Sequence, residues 1–147
     1  MTTEQPPTVI DASGLILGRM ASIVAKRLLQ GENIVIVNSE KSALSGKRLS
    51  KVKEAREFLE VGHPGKGPFH RRRPDRIVQR TIRGMLPRRI PKGQRALRRL
   101  RAYLGVPDEF KNAKMETFPQ ASAAKLKGPY FTLGEFAKEI GWAGMSE

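Results

Sequence analysis

No cysteine occurs anywhere in the chain, which removes a disulfide framework, a thiolate metal site and a cysteine nucleophile at one stroke. Histidine is nearly as scarce: His63 and His70 are the two present, too few for a histidine-built metal site without carboxylate help. Long apolar runs are missing as well. None approaches the ~20 residues a membrane-spanning helix needs. The stretch Met1–Pro7 is polar, carries Glu4, and lacks the basic-then-apolar build of a secretory signal. From these absences we expect a soluble, cytoplasmic protein with no metal, no cofactor and no membrane partner. Acids are the last shortage. There are 14 Asp and Glu against 28 Lys and Arg, a formal net charge of +14. A surplus of that size repels itself in water and makes sense beside a polyanion.

What remains is enough for one domain: 147 residues, 39% of them hydrophobic. After a short leader, residues 1–7, Thr8-Val9-Ile10-Asp11-Ala12 reads as a strand stopped by a Ser13-Gly14 turn. From Leu15 to Gln30 the residues Leu17, Met20, Val24 and Leu28 recur every three or four positions, one face of a helix. Ile34-Val35-Ile36-Val37 is a continuous β-branched run, the signature of a strand buried on both faces. Strand, helix, strand in this order predicts a βαβ unit with a right-handed crossover. A second helix is predicted over Lys47–Val61, with Leu49, Val52, Ala55 or Arg56, and Leu59 in register. Residues 62–68, with three glycines and two prolines, form a loop. A third helix spans Pro74–Leu86, with Ile77, Val78, Thr81, Ile82, Met85 and Leu86 as its apolar stripe. A shorter one follows at Lys92–Leu100, then a strand at Arg101–Leu104. Residues 106–147 read as an irregular extension, with one strand near Met115–Phe118 and a last helix at 132–140. That helix has a clear start: Thr132 and Glu135 make a capping box, and Phe131 and Phe136 a hydrophobic staple. Tyr103, Tyr130 and Trp142 are most simply packing residues.

The positive charge is unevenly placed. Between Lys66 and Arg101 stand Lys66, Arg71, Arg72, Arg73, Arg76, Arg80, Arg83, Arg88, Arg89, Lys92, Arg95, Arg98, Arg99 and Arg101, with Asp75 the only acid. A quarter of the chain thus carries nearly the whole surplus. Most of these cations are arginine, whose planar fork matches phosphate oxygens and stacks on bases. Arg76, Arg80 and Arg83 share one face of their helix. A merely solvated face would mix signs; this one has no acids to match. Candidate RNA-binding residues are therefore Lys66, His70, Arg71, Arg72, Arg73, Arg76, Arg80, Arg83, Arg88, Arg89, Lys92, Arg95, Arg98 and Arg99. Phe69 and His70, beside three arginines, have the chemistry to stack on an unpaired base, though Phe69 fits better as a loop anchor in the core.

Two nucleotide motifs fail on inspection. Gly14 and Gly18 fall where a GxGxxG fingerprint would sit, but they do not make the pattern. Ser45-Gly46-Lys47 would need Gly at 41 and Ser or Thr at 48 to make a phosphate loop; Lys41 and Arg48 stand there instead. Asp11 and Glu40 lie at strand ends without a histidine near in sequence, and Asp11 is expected to brace the turn. No catalytic residue is assigned. A DNA-compacting protein would share the charge but should show a helix-turn-helix or similar motif. An RNA-processing enzyme would need an acid cluster beside the basic flank, where Asp75 is alone.

The series Val9-Ile10-Asp11-Ala12, Leu17-Gly18-Arg19-Met20-Ala21, Val35-Ile36-Val37-Asn38 and Ser45-Gly46-Lys47 resembles universal ribosomal protein thirteen of the large subunit. Gly67-Pro68-Phe69-His70, Arg83-Gly84-Met85-Leu86-Pro87 and Arg98-Arg99-Leu100-Arg101-Ala102-Tyr103-Leu104-Gly105 are similar to its archaeal and eukaryotic branch. The resemblance implies a three-layer α/β/α fold with a mostly parallel four-stranded sheet in residues 8–105, flanked by the basic segment 66–101. It also implies large-subunit ribosomal RNA and neighbouring ribosomal proteins as partners, an early role in subunit assembly, and no homo-oligomer.

Overall fold

The computed structural model describes residues 6–63, 65–67 and 70–144. Its centre is a four-stranded sheet of β1 (Thr8–Asp11), β2 (Ile34–Val37), β4 (Leu100–Ala102) and β5 (Met115–Glu116), in the order β4-β2-β1-β5 and parallel throughout. The β-branched run forms β2, and all four of its residues are buried. Alternation divides them between two cores. Ile34 and Ile36 join Ile10, Leu100 and Ala102 in the larger core. Val35 and Val37 join Val9 on the opposite face, covered by Tyr103, Val106, Phe110 and Met115. The fold is three-layer α/β/α, with the second outer layer reduced to a short 3₁₀ turn at Asp108–Phe110 and the chain around it.

On the larger core lies α1 (Leu17–Leu29), which buries Leu17, Met20, Ala21, Val24, Ala25 and Leu28. It starts two residues later than the apolar spacing predicts, because Leu15 and Ile16 are drawn into β-bridges with Ser122 and Ala43. Against α1 pack α3 (Pro74–Met85) and α4 (Pro91–Arg98). Each of these opens on proline, which is preset for the first helical turn and has no N–H to lose. Val78, Ile82 and Leu86 carry the α3 stripe inward, whereas Met85 is exposed. Gly93 lets α4 close on the turn before it: a Cβ there would collide with the Pro87 carbonyl.

Several elements depart from the sequence expectation. α2 (Arg48–Glu60) forms as predicted, but Val52 is its only buried residue. Of the expected stripe, Val52 is buried, Ala55 and Leu59 are half-buried and Leu49 is 79% exposed. Phe58, outside that stripe, is 66% exposed. A second sheet was not foreseen: β3 (Ala43–Ser45) pairs antiparallel with β6 (Tyr130–Thr132). Tyr130 is therefore on an exposed edge rather than packed. The strand expected at Arg101–Leu104 is at Leu100–Ala102. Beyond Gly105 the chain is tied into the body: β5 extends the main sheet beside β1, and Phe118, Ala121 and Leu133 lie in the larger core. The final helix, α5 (Leu133–Glu139), keeps the Thr132 half of the expected capping box: Glu135 N–H donates to Thr132 Oγ1 at 3.3 Å, and the Phe131 and Phe136 rings stand 6.1 Å apart. Phe69, Pro64 and Pro68 lie outside the described residues.

Asp11 braces the end of β1. Its Oδ1 accepts hydrogen bonds from Ser13 N–H and Asn38 Nδ2, each at 3.0 Å. Asn38 sits at φ 57°, a left-handed conformation that asparagine tolerates better than most residues. Burial works to raise the Asp11 pKa, but these hydrogen bonds and the Lys41 charge outweigh it and hold the carboxyl below its ordinary value.

Two predictions follow from this packing. Gly93→Ala should destabilise the fold by ~1–3 kcal/mol in denaturant unfolding, since the added methyl must displace backbone. Asp11→Ala should cost ~1–3 kcal/mol near neutral pH. A depressed folded-state pKa gives stability above the unfolded value that is lost as pH falls through the folded one. The gap between wild type and Asp11→Ala should therefore narrow in acid; a gap that is constant down to pH 2 would remove the carboxylate from this role.

Candidate nucleic-acid interface

The basic segment is displayed on a helical hairpin. α3 and α4 are joined by residues 86–90, with Pro87 ending one helix and Pro91 starting the next. At 100° per residue, Arg76, Arg80 and Arg83 fall within an arc of ~60°. Val78 and Ile82, on the opposite side, are fully buried. Core packing thus aims the three arginines outward. Arg88 and Arg89 occupy the exposed turn, and Lys92, Arg95 and Arg98 are exposed on α4. The helix ends tolerate these cations: Arg83 lies in the last turn of α3, and Arg95 and Arg98 in that of α4, where the helix dipole is negative.

Preceding α3, Lys66, Arg71, Arg72 and Arg73 are exposed and His70 is half-buried. Arg73 reaches Asp75 at 3.4 Å. Asp75 itself is buried in the first turn of α3, where the dipole favours an anion. Among the described residues, Arg71, Arg72, Arg76, Arg80, Arg83, Arg88, Arg89, Lys92, Arg95 and Arg98 have no carboxylate within salt-bridge distance. An exposed guanidinium without an internal partner keeps its donors for an outside anion.

Arg99 differs from the rest. It is half-buried, and its Nη2 donates to the Leu28 carbonyl at 2.6 Å. That carbonyl, in the last turn of α1, also accepts from Gly31 N–H at 3.1 Å, so Arg99 adds a second donor at the helix end while belonging to the segment that carries the exposed charge. Arg27, outside the basic segment, is likewise engaged internally: Glu32 at 2.7 Å, Glu116 at 2.9 Å and the Phe118 ring at 5.9 Å. Sequence spacing gave little means of separating such cations from free ones, because Glu116 and Leu28 lie far along the chain from them.

The motifs set aside in the sequence have structural work. Gly46 N–H donates to the Pro129 carbonyl at 2.9 Å, so it is not free to cradle a phosphate. His63 Nδ1 accepts from Gly65 N–H at 3.1 Å within its own turn. Glu40 accepts from Gly105 N–H at 3.0 Å. Among the described residues, no three His, Cys, Asp or Glu side chains gather as a metal site, and no helix is long and apolar enough to cross a membrane.

Beside the hairpin, α2, α3 and α5 border an open cavity of about 440 Å³. Ile77, Phe136 and Ile140 line it together with Phe58 and His70, and Arg71 and Arg80 border it. Sequence reading did not find it, since it forms between helices far apart in the chain and takes Phe58 from outside the stripe that the spacing of α2 gives.

A family model described as Ribosomal protein L13 matches residues 6–109. The large ribosomal subunit protein uL13 of Methanosarcina barkeri is 50% identical over 136 residues, covering 91% of this chain and 97% of the relative. That of Methanopyrus kandleri is 45% identical over 138 residues, covering 92% and 87%. That of Saccharolobus solfataricus is 40% identical over 145 residues, covering 96% and 97%. Alignments of this extent run well past Gly105.

The outward face of α3 sets a quantitative expectation. Replacing Arg76, Arg80 and Arg83 together by Gln keeps helix propensity while deleting charge. If each arginine neutralises a phosphate, the slope of log affinity against log salt should fall by roughly 2–3 units, at ~0.7–0.9 per contact. Stability of the free protein should hold or rise, because like charges leave a crowded face. An unchanged salt slope with the fold intact would place the RNA on another surface.

Proposed function

Because the chain belongs to the ribosomal protein L13 family, we propose that it is a structural constituent of the large ribosomal subunit that binds large-subunit ribosomal RNA through its arginine-rich flank. The observation that carries this reading is the face of α3: three exposed arginines, without carboxylate partners among the described residues, held opposite a fully buried apolar stripe. The membership that the relatives' names state, large ribosomal subunit protein, supplies the setting.

In this reading the mechanism is architectural. The parallel sheet and α1 make a rigid base. The hairpin 74–98 stands on that base and carries cations on both helices and on the turn between them. Several RNA segments can meet such a ridge at once, and each phosphate contact releases condensed counterions. Register comes from RNA shape, since A-form helices offer side chains little base information in their deep groove. The candidate contacts remain Lys66, His70, Arg71, Arg72, Arg73, Arg76, Arg80, Arg83, Arg88, Arg89, Lys92, Arg95, Arg98 and Arg99. Arg99 acts chiefly from behind, by holding α1 and the hairpin together. By gathering RNA segments before other proteins arrive, the chain supports early subunit assembly. It performs no turnover, needs no cofactor, and works in the cytoplasm as part of the particle.

Sedimentation tests this directly. A tagged chain should travel with large subunits and stay with them through a moderate salt wash. Recovery solely as free protein, or with small subunits, would refute the reading.

A further inference from the structure

The cavity beside the hairpin has a composition that phosphate binding does not explain. Phe58 is 66% exposed on a helix that buries only Val52. An apolar ring left in water at the mouth of an apolar cavity calls for an occupant. Phe58 and His70 stand with ring centroids 6.2 Å apart and planes at 63°. Two rings set edge to face form a corner: a flat heterocycle can stack on one while its rim meets the other. Ile77, Phe136 and Ile140 supply an apolar wall. Thr81 Oγ1 donates to the Ile77 carbonyl at 2.9 Å, which leaves its lone pairs free to accept.

The border decides the class of occupant. Arg71 and Arg80 line the cavity, and among the described residues no carboxylate does. Both are exposed and without salt-bridge partners among the described residues. An apolar slot edged by guanidinium groups suits a planar base joined to a phosphate, because the base stacks while the phosphate meets the arginines. Arg80 also belongs to the outward arc of α3, so the cavity is continuous with the basic face.

We propose that this cavity receives a single unstacked nucleotide of the bound RNA, its base stacked in the corner of Phe58 and His70 and its phosphate held by Arg71 and Arg80. The inference rests on the RNA-binding reading above and adds to it a site for a base rather than a backbone.

The test places a photoreactive group in the corner. Large subunits are isolated from cells in which Phe58→p-benzoylphenylalanine replaces the native chain, irradiated, and the crosslink mapped. A crosslink to one unpaired ribosomal RNA nucleotide is the expected result. The same replacement at Leu49, on the same helix but away from the cavity, should not reach that nucleotide. A crosslink from position 58 to a protein, no crosslink at all, or the same nucleotide reached from position 49 would each overturn the proposal. Phe58→Ala keeps the question open should the bulky group exclude the chain from the particle. The alanine removes an exposed ring and favours the helix. Subunits carrying it should show one unpaired base newly reactive to dimethyl sulfate, its occupancy reduced roughly 5- to 150-fold by the lost stacking. Unchanged reactivity would again overturn the pocket. If the unmodified chain is itself missing from large subunits, the ribosomal reading falls; if it is present and position 58 meets protein, only the base pocket falls.

Discussion

Four consecutive β-branched residues with no solvent face set the terms for everything else. Ile34–Val37 are all buried, so β2 must have a strand on each side and a layer on each face. β1 and β4 satisfy the edges in parallel register. Parallel neighbours need crossovers, and α1 provides the first of them over Ile34 and Ile36. Val35 and Val37 need a cover too, which the chain supplies with Tyr103, Val106, Phe110 and Met115 rather than with a full helix. The hairpin of α3 and α4 then packs on α1, and its outward side becomes the basic face. Where the arginines point is thus a consequence of how β2 is buried.

Carrying so much like charge in a short segment is a problem of folding before it is one of binding. The chain keeps nearly every cation of 66–101 exposed, leaving the hairpin's inner face to Val78, Ile82, Gly93 and Ala96. Prolines at both helix starts shape the hairpin without polar side chains. Exposed charges are screened by salt over a Debye length of ~8 Å under physiological conditions, so self-repulsion is tolerable until a polyanion replaces the screening. Arg27 and Arg99 are the contrast. Each donates at least one internal hydrogen bond that ties α1 to a distant part of the chain.

What was legible in the sequence was what repeats over short distances. The stripe of α1, the run of β2 and the cap at Thr132 depend on neighbours within a few residues, and they appear where the pattern puts them. The concentration of arginine was equally plain, as was its side of α3, because helical geometry converts spacing into direction. Pairings across the chain were not legible. β5 is two residues long and finds β1 more than a hundred positions away; β3 finds β6 at similar remove. The strand at Met115 was expected, but no local signal marks which strand β5 or β6 pairs with. The special position of Arg99 depends on the end of α1, and the exposure of Leu49 and Phe58 on how α2 lies against α5. A helical period shows that one face is apolar and leaves open whether the protein itself will cover it.

That last point joins α2 to the basic face. A ridge of arginines binds any polyanion of suitable spacing, and its grip fades with salt. Charge alone therefore gives affinity without register. Stacking in an apolar slot depends little on salt and requires one base at one place. The corner of Phe58 and His70 stands beside Arg71 and Arg80, so the same strand of RNA can meet both kinds of contact. In the proposed reading, the arginines would draw the backbone in from any direction, and the slot would accept only the approach that brings an unstacked base to it. An exposed phenylalanine on a loosely packed helix, a defect if the chain worked alone in water, would then become the element that fixes position once the charge has been neutralised.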